Sequence, residues 1–218
     1  MDEEILVSPL SNIYENQAYS REKFYDEKFS EKGNDFSVHI VSVLLFGLDG
    51  EIILQKRSDN KLHNSGLIDK TLGGHIIYGD NDDYTIMVET VQELLTPSVV
   101  LNSEADFNKT LDILKSYLDT IAVVYKKTVR PWKLNRVVDD EIYEIDNIVH
   151  LAFGVYGGRM RPADKEASGI LYYNSLEQLE KEMTTHPNIF TDDLIQLVKE
   201  YRDDILKLQT KIRGKMAN

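Results

Sequence analysis

The chain has no cysteine. That excludes disulfides, thiolate metal sites and a cysteine nucleophile together. It also lacks any run of about 18 apolar residues, so no membrane-spanning helix is expected. The opening residues, MDEEILVSPL, carry neither the basic stretch nor the apolar core of a signal peptide. The expected setting is therefore the cytoplasm, with no membrane partner. Basic residues are outnumbered, 25 against 37 acidic, for a net charge of −12. Such a balance argues against a general nucleic-acid surface, which needs a basic stripe to neutralise phosphates. A highly negative small molecule would have to enter through a local basic patch. No repeat or low-complexity stretch appears. Hydrophobic residues make up 42% and aromatics 9%, enough for a core and too many for wholesale disorder. At roughly 150 residues per domain, 218 residues read as one domain with an appendage.

Residues 1–36 are polar and charged, with one short strand expected at Ile5–Val7 and loose connections elsewhere. From His39 the run HIVSVLLFG reads as a buried strand. Asp49-Gly50 is a hairpin turn signal, and EIILQKR is its partner strand, ending in Lys56 and Arg57. A short strand near Lys70–Leu72 is broken by Gly73-Gly74. Residues 80–95 read as a helix that Pro97 stops. Tyr84, Met87, Val88, Val91, Leu94 and Leu95 recur at spacings of three and four, which predicts that they form its packed face. A second helix is expected over 106–118, and strands over 121–129, 148–156 and 169–174. The charged stretch 130–147 reads as a loop. A capped helix starts at Ser175. After it, Leu194, Val198, Tyr201, Ile205, Leu208 and Ile212 alternate spacings of four and three, a seam that either pairs with a second copy of the chain or lies on the chain's own sheet. Hairpin-ordered strands with irregularly placed helices favour an α+β sandwich with a mixed sheet.

Chemistry concentrates in residues 73–93. A Gly-Gly loop is followed by a helix on which Glu89 and Glu93, four residues apart, share one face. Two carboxylates beside a glycine loop suit a hard cation such as magnesium, which takes oxygen ligands and shares its shell with substrate phosphates. A solvated acidic face is the plain alternative.

The surrounding residues resemble the Nudix family. In its box, Gly74 matches the opening glycine, Glu89 the glutamate of the Arg-Glu pair and Glu93 the second glutamate of the later pair. Asp80 stands for a glutamate, Val88 for the arginine, Gln92 for a glutamate and Leu95 for the closing glycine. The segments ILQKRSDNK and DKEASGILYYNSLEQL also look like parts of the family framework, so the likeness covers roughly residues 37–182. GGH, the His39 strand and IYEID are similar to the isopentenyl-diphosphate isomerase-like branch. Gly73 stands where that branch has its catalytic cysteine, which excludes isomerase chemistry while keeping branch-like architecture.

The resemblance implies an α/β/α sandwich with a mixed sheet: an N-terminal extension over 1–36, a Nudix domain over 37–190 and a C-terminal helix over 191–218. It implies a divalent-metal-dependent hydrolase, using Mg2+ or Mn2+, that cleaves a diphosphate linkage in a nucleoside-diphosphate derivative or similar phosphorylated small molecule. Glu89 and Glu93 are the expected catalytic pair; Glu89, Gln92, Glu93 and Glu166 the expected metal ligands; Lys56, Arg57, Gly74 and His75 the expected substrate contacts. Lys70 has a weaker case of the same kind. Gln92 supplies a neutral oxygen where the family has a charge, so Glu144, Asp146 or Glu166 would have to compensate. His39 is a further candidate ligand. The alternative is a catalytically impaired Nudix-fold module that binds nucleotide or protein, and the C-terminal seam leaves a homodimer open.

Overall fold

In the third strand, eleven residues from Phe36 to Phe46, side chains alternate between two cores: Val38, Ile40, Leu44 and Phe46 enter one, Val41, Val43 and Leu45 the other. That period of two, apolar on both sides, marks a strand covered on both faces. The computed structural model describes residues 3–30, 33–160 and 167–216. In order they form β1 (Glu4–Pro9), β2 (Gln17–Ser20), α1 (Arg21–Lys28), β3 (Phe36–Phe46), β4 (Ile52–Arg57), β5 (Ile68–Asp69), β6 (Leu72–His75), α2 (Asp82–Leu94), β7 (Ser98–Leu101), α3 (Glu104–Leu114), β8 (Ala122–Val138), β9 (Glu141–Val155), β10 (Ala167–Tyr173), α4 (Leu176–Thr185), α5 (Asp192–Glu200) and α6 (Arg202–Met216).

The strands join in one mixed sheet with the path β10-β4-β3-β9-β8-β7. β3 runs parallel to β9 and β7 to β8, and the remaining pairs are antiparallel. Helices α1, α3, α4, α5 and α6 pack into one core, and α2 contributes Ile86 and Leu94 to the other. This is the expected α/β/α sandwich. The N-terminal part joins the sheet through β1, which pairs with β3, and also supplies the unexpected helix α1. No helix among the described residues is long and apolar enough to cross a membrane.

Two features place the site. On one edge, β3 pairs with β6 over Ile40–Val43 and then with β4 at Leu45–Phe46. Where it changes partner, the Thr71 hydroxyl accepts from the Leu45 N–H at 2.8 Å and donates to the Ile53 carbonyl. The splay between β4 and β6 leaves a recess beside α2. The second feature is the charged stretch 130–147, which is no loop: β8 and β9 continue through it as one long hairpin paired out to Val138↔Glu141. Asp139 and Asp140 turn it, both at positive φ, 48° and 67°, as a tight type I′ turn requires. Asn64 holds the hairpin end to the 58–67 loop, its backbone N–H donating to the Val137 carbonyl and its side chain accepting from the Val137 N–H, both at 2.8 Å.

The C-terminal seam settles on the chain's own sheet. Leu194, Val198, Tyr201, Ile205, Leu208 and Ile212 are all buried in the larger core. The expected single helix is two, broken at Tyr201, whose N–H caps α5 on the Leu197 carbonyl. Asp203 and Asp204 then favour the fresh N-terminus of α6.

Candidate functional site

Asn81 caps α2 by accepting the Tyr84 N–H at 2.9 Å. The helix does not pack on the face its apolar residues mark. Tyr84, Met87, Val91 and Leu95 are exposed, Val88 is half-buried, and the buried side is Thr85, Ile86, Thr90, Glu93 and Leu94. The expected packed face is corrected accordingly: Ile86 and Leu94 alone anchor the helix, and its hydroxyls fold back, Thr85 on the Asn81 carbonyl and Thr90 on the Ile86 carbonyl. This rotation turns Tyr84, Val88, Glu89, Gln92 and Glu93 toward a cleft of about 580 Å3.

Across the cleft lies β6. A Cβ added to Gly74 would sit 1.7 Å from Glu89 Oε1, and one added to Gly73 would meet Lys70 Cε at 2.7 Å and the Val41 carbonyl at 2.8 Å. Both glycines are therefore needed so that charged side chains can lie directly on strand backbone. Gln55 of β4, itself buried, donates to Glu93 Oε2 at 3.4 Å.

The floor is a buried ion network. Arg57 pairs with Asp69 at 3.2 Å and donates to the His63 carbonyl at 3.1 Å. Lys70 bridges Asp69 at 3.2 Å and Asp193 at 3.3 Å. Arg136 forks onto Asp193, its second limb at 3.3 Å. Thr191 donates to Asp69 at 2.8 Å while its oxygen caps α5. Burial works against the charged forms here, yet Arg136 and Lys70 hold the Asp193 carboxyl below the ordinary range, and Asp193 and Asp69 hold the Lys70 ammonium above its own. The histidines respond in the opposite sense. Burial, reinforced by Arg136 and Arg57, pushes His63 down to about 2. Burial, then Arg21, Arg136 and Arg57, push His75 down to about 3. His75 is thus neutral, with Nε2 2.6 Å from the Tyr25 hydroxyl.

Of the residues expected from sequence, Glu89, Gln92, Glu93, Arg57, Gly74, His75 and Lys70 line this one cleft. Lys56 does not. It alternates with Gln55 and Arg57 along β4, so its side chain leaves the opposite face and is exposed. Glu166 lies outside the described residues. The other compensating acids are engaged elsewhere, Glu144 with Lys133 at 2.9 Å and Asp146 with Lys28 at 3.7 Å. His39 sits in a separate buried chain, with Nε2 2.8 Å from the Ser8 hydroxyl and Nδ1 3.1 Å from His150 Nε2; His150 Nδ1 is 3.1 Å from Asp82. Sequence reasoning missed Arg136, Asp193, Asp69 and Tyr25. The signal for Arg136 was the alternation Trp132, Leu134, Arg136, which places it in the buried phase of a strand.

The donor set suits a hard divalent cation of modest affinity. Glu89 and Glu93 offer carboxylates and Gln92 an amide oxygen, all on the cleft. Magnesium commonly makes do with one or two carboxylates, its own waters and substrate oxygens. Among the described residues, no three or more His, Asp or Glu side chains are grouped to hold a metal on their own.

No family model matches the chain, and no curated protein is similar to it in sequence. Solved structures are similar in fold. A Deinococcus radiodurans protein, DR0079, is 14% identical with a TM-score of 0.50, over 75% of this chain and 82% of its own. A NUDIX-family hydrolase from Clostridium perfringens is 17% identical with a TM-score of 0.43, over 76% and 95%. A Francisella tularensis bifunctional NMN adenylyltransferase/ADP-ribose pyrophosphatase, complexed with AMP and manganese, is 14% identical with a TM-score of 0.47; the match covers 78% of this chain and 42% of that protein. These neighbours do not single out the isopentenyl-diphosphate isomerase-like branch. At 14% identity the match to DR0079 shows a likeness of fold alone: a mixed sheet with helices on both its faces.

Proposed function

We propose that the chain is a divalent-metal-dependent hydrolase of a diphosphate linkage in a nucleoside-diphosphate derivative or similar small molecule. One observation carries this reading: Glu89 and Glu93 of α2 face the Arg57, Lys70 and Arg136 cations in a single cleft. A bound magnesium or manganese ion, held by Glu89, Glu93 and the Gln92 oxygen, would neutralise phosphate charge and lower the pKa of water. The chain's own residues do the rest. Arg57 is the expected contact for phosphate oxygens, its fork already fixed by Asp69 and the His63 carbonyl. Lys70 and Arg136 sit deeper and set a positive potential for an anion that the chain's overall charge would repel. A carboxylate of the Glu89/Glu93 pair orients the attacking water and takes its proton. Glu93 is held from behind by Gln55. His75 is neutral and bonded to Tyr25, which makes it a support for the glycine strand and not a proton donor at neutral pH.

Gln92 favours a second reading, a module that kept the cleft and lost turnover, since it removes one negative charge from the donor set. Purified protein assayed on a panel of diphosphates with magnesium or manganese separates the two. The hydrolase reading expects metal-dependent product release that Glu93→Gln lowers at least about 100-fold, the order expected when a positioned acid–base group is lost. Saturable nucleotide binding with no turnover in either metal would establish the second reading instead.

A further inference from the structure

Under the first turn of α2 a polar row crosses the smaller core. Ser8 shares its phase on β1 with Leu6, His39 on β3 with Val41 and Val43, His150 on β9 with Ala152, and Lys126 on β8 with Val124; all these neighbours belong to that core. The four strands are adjacent, β1 with β3, β3 with β9 and β9 with β8. The row ends on Asp82, the first residue of α2. His150 Nδ1 lies 3.1 Å from Asp82 Oδ2, and Lys126 donates to Asp82 Oδ1 at 3.2 Å. Behind it, His150 Nε2 is 3.1 Å from His39 Nδ1, and His39 Nε2 is 2.8 Å from the Oγ of the buried Ser8. Chemistry sets the direction of the bonds. The Asp82 carboxyl is held down at about 2, first by the bond from His150, so it only accepts. His150 Nδ1 therefore carries a hydrogen whether its ring is neutral or charged. Burial, then His150, push His39 down to about 4, so it is neutral at pH 7 and either of its tautomers completes the chain to Ser8. Asp82 also governs the acids. Glu89 and Glu93 follow it by seven and eleven residues, close to two and three whole turns, so the three carboxylates share one stripe of the helix. Apolar packing alone holds that stripe weakly, because α2 gives the core only Ile86 and Leu94.

On the strength of the proposed metal site, we infer that His150, backed by His39 and Ser8, is a positioning residue for Glu89 and Glu93: its hydrogen bond to Asp82 holds the rotation of α2 that brings both carboxylates to one ion. Two measurements on the full chain test this. Long-range nitrogen–proton NMR correlation on the metal-free protein reads the histidine hydrogens directly, and the expected result is a hydrogen on His150 Nδ1. A bare Nδ1 there overturns the inference and leaves the metal reading standing. Manganese titration with pyrophosphate, followed by electron paramagnetic resonance, reads the consequence. His150→Leu keeps bulk and loses the donor, and should weaken manganese binding on the order of tenfold, the lower end for losing an outer partner of a metal site. His150→Asn, whose amide N–H stands in for Nδ1–H, should restore most of that affinity. Pyrophosphate binding without metal, unchanged in both variants, shows that the cleft is folded; should His150→Leu not fold, the NMR result decides. Manganese affinity in His150→Leu equal to that of the wild type overturns the inference. So does an equal loss in His150→Leu and His150→Asn, which makes the contact one of packing alone. Failure of the wild type to bind manganese overturns the metal reading and this inference with it.

Discussion

Helix α2 and the α5–α6 pair both show apolar residues at helical spacing, and only one of them buries that face. In α5 and α6 the seam from Leu194 to Ile212 is wholly interior. In α2 the corresponding stripe splits: Met87, Val91 and Leu95 face outward, Tyr84 and Val88 line the cleft, and Leu94 is inside with Ile86, two threonines and Glu93. Packing alone explains the first. The second follows from the acids: putting Glu89 and Glu93 over a glycine strand fixes the helix rotation, and the apolar stripe goes where that rotation leaves it. Amphipathicity therefore predicts burial where a helix has only a core to cover, and fails where its polar side chains have a site to fill.

The sharpest way to test this contrast is at the point where the two regions meet. Asp193 is on α5, yet it is buried between Lys70 and Arg136 of the cleft. Asp193→Asn leaves two buried cations short of a partner, and chemical denaturation should show a loss of about 3–5 kcal/mol. Next is Leu197→Ala, beside the seam and fully buried in the same core, for which about 2–5 kcal/mol is expected. Val91→Ala on the exposed stripe of α2 should cost no more than roughly 0.5 kcal/mol. Similar losses at positions 91 and 197 would break the comparison.

Acid should act through the cleft and the His39 chain. His63, His75 and His39 are held below the ordinary 6.5, at about 2, 3 and 4, first by burial in each case. The unfolded chain thus binds more protons than the folded one below pH 6.5. Stability is fully present above pH 6.5 and is lost as pH falls toward 4 and below. Melting temperature should drop steadily over that window, and His39→Gln should flatten the upper part of the drop. One further expected effect is a gain. Leu95 ends α2 in the left-handed region at φ 55° while 74% exposed. Leu95→Gly, which adopts that conformation without a Cβ penalty, should raise stability by up to about 1 kcal/mol in the same denaturation assay.

Much of the fold was legible because β3 and the β4 hairpin declare themselves by alternation and by Asp49-Gly50. The pair Glu89/Glu93 and the strand glycines were legible because helical spacing and a Gly-Gly break are local signals. Lys56 misled because a strand end cannot be assigned a face until its neighbours are known. Arg136 and Asp193 were hidden for a different reason. Each is an ordinary charged residue in its own segment, and only the long β8–β9 hairpin and the docking of α5 bring them within 3.3 Å of one another. Such long-range pairings have no local trace beyond the Trp132, Leu134, Arg136 phase.

The account rests on Glu89 and Glu93 as joint holders of one divalent ion. Manganese binding followed by electron paramagnetic resonance in the presence of pyrophosphate tests it most directly. The expected result is one bound manganese in the wild type, weakened severalfold or more by Glu89→Gln and by Glu93→Gln alike. Unchanged manganese affinity in the double variant would contradict it.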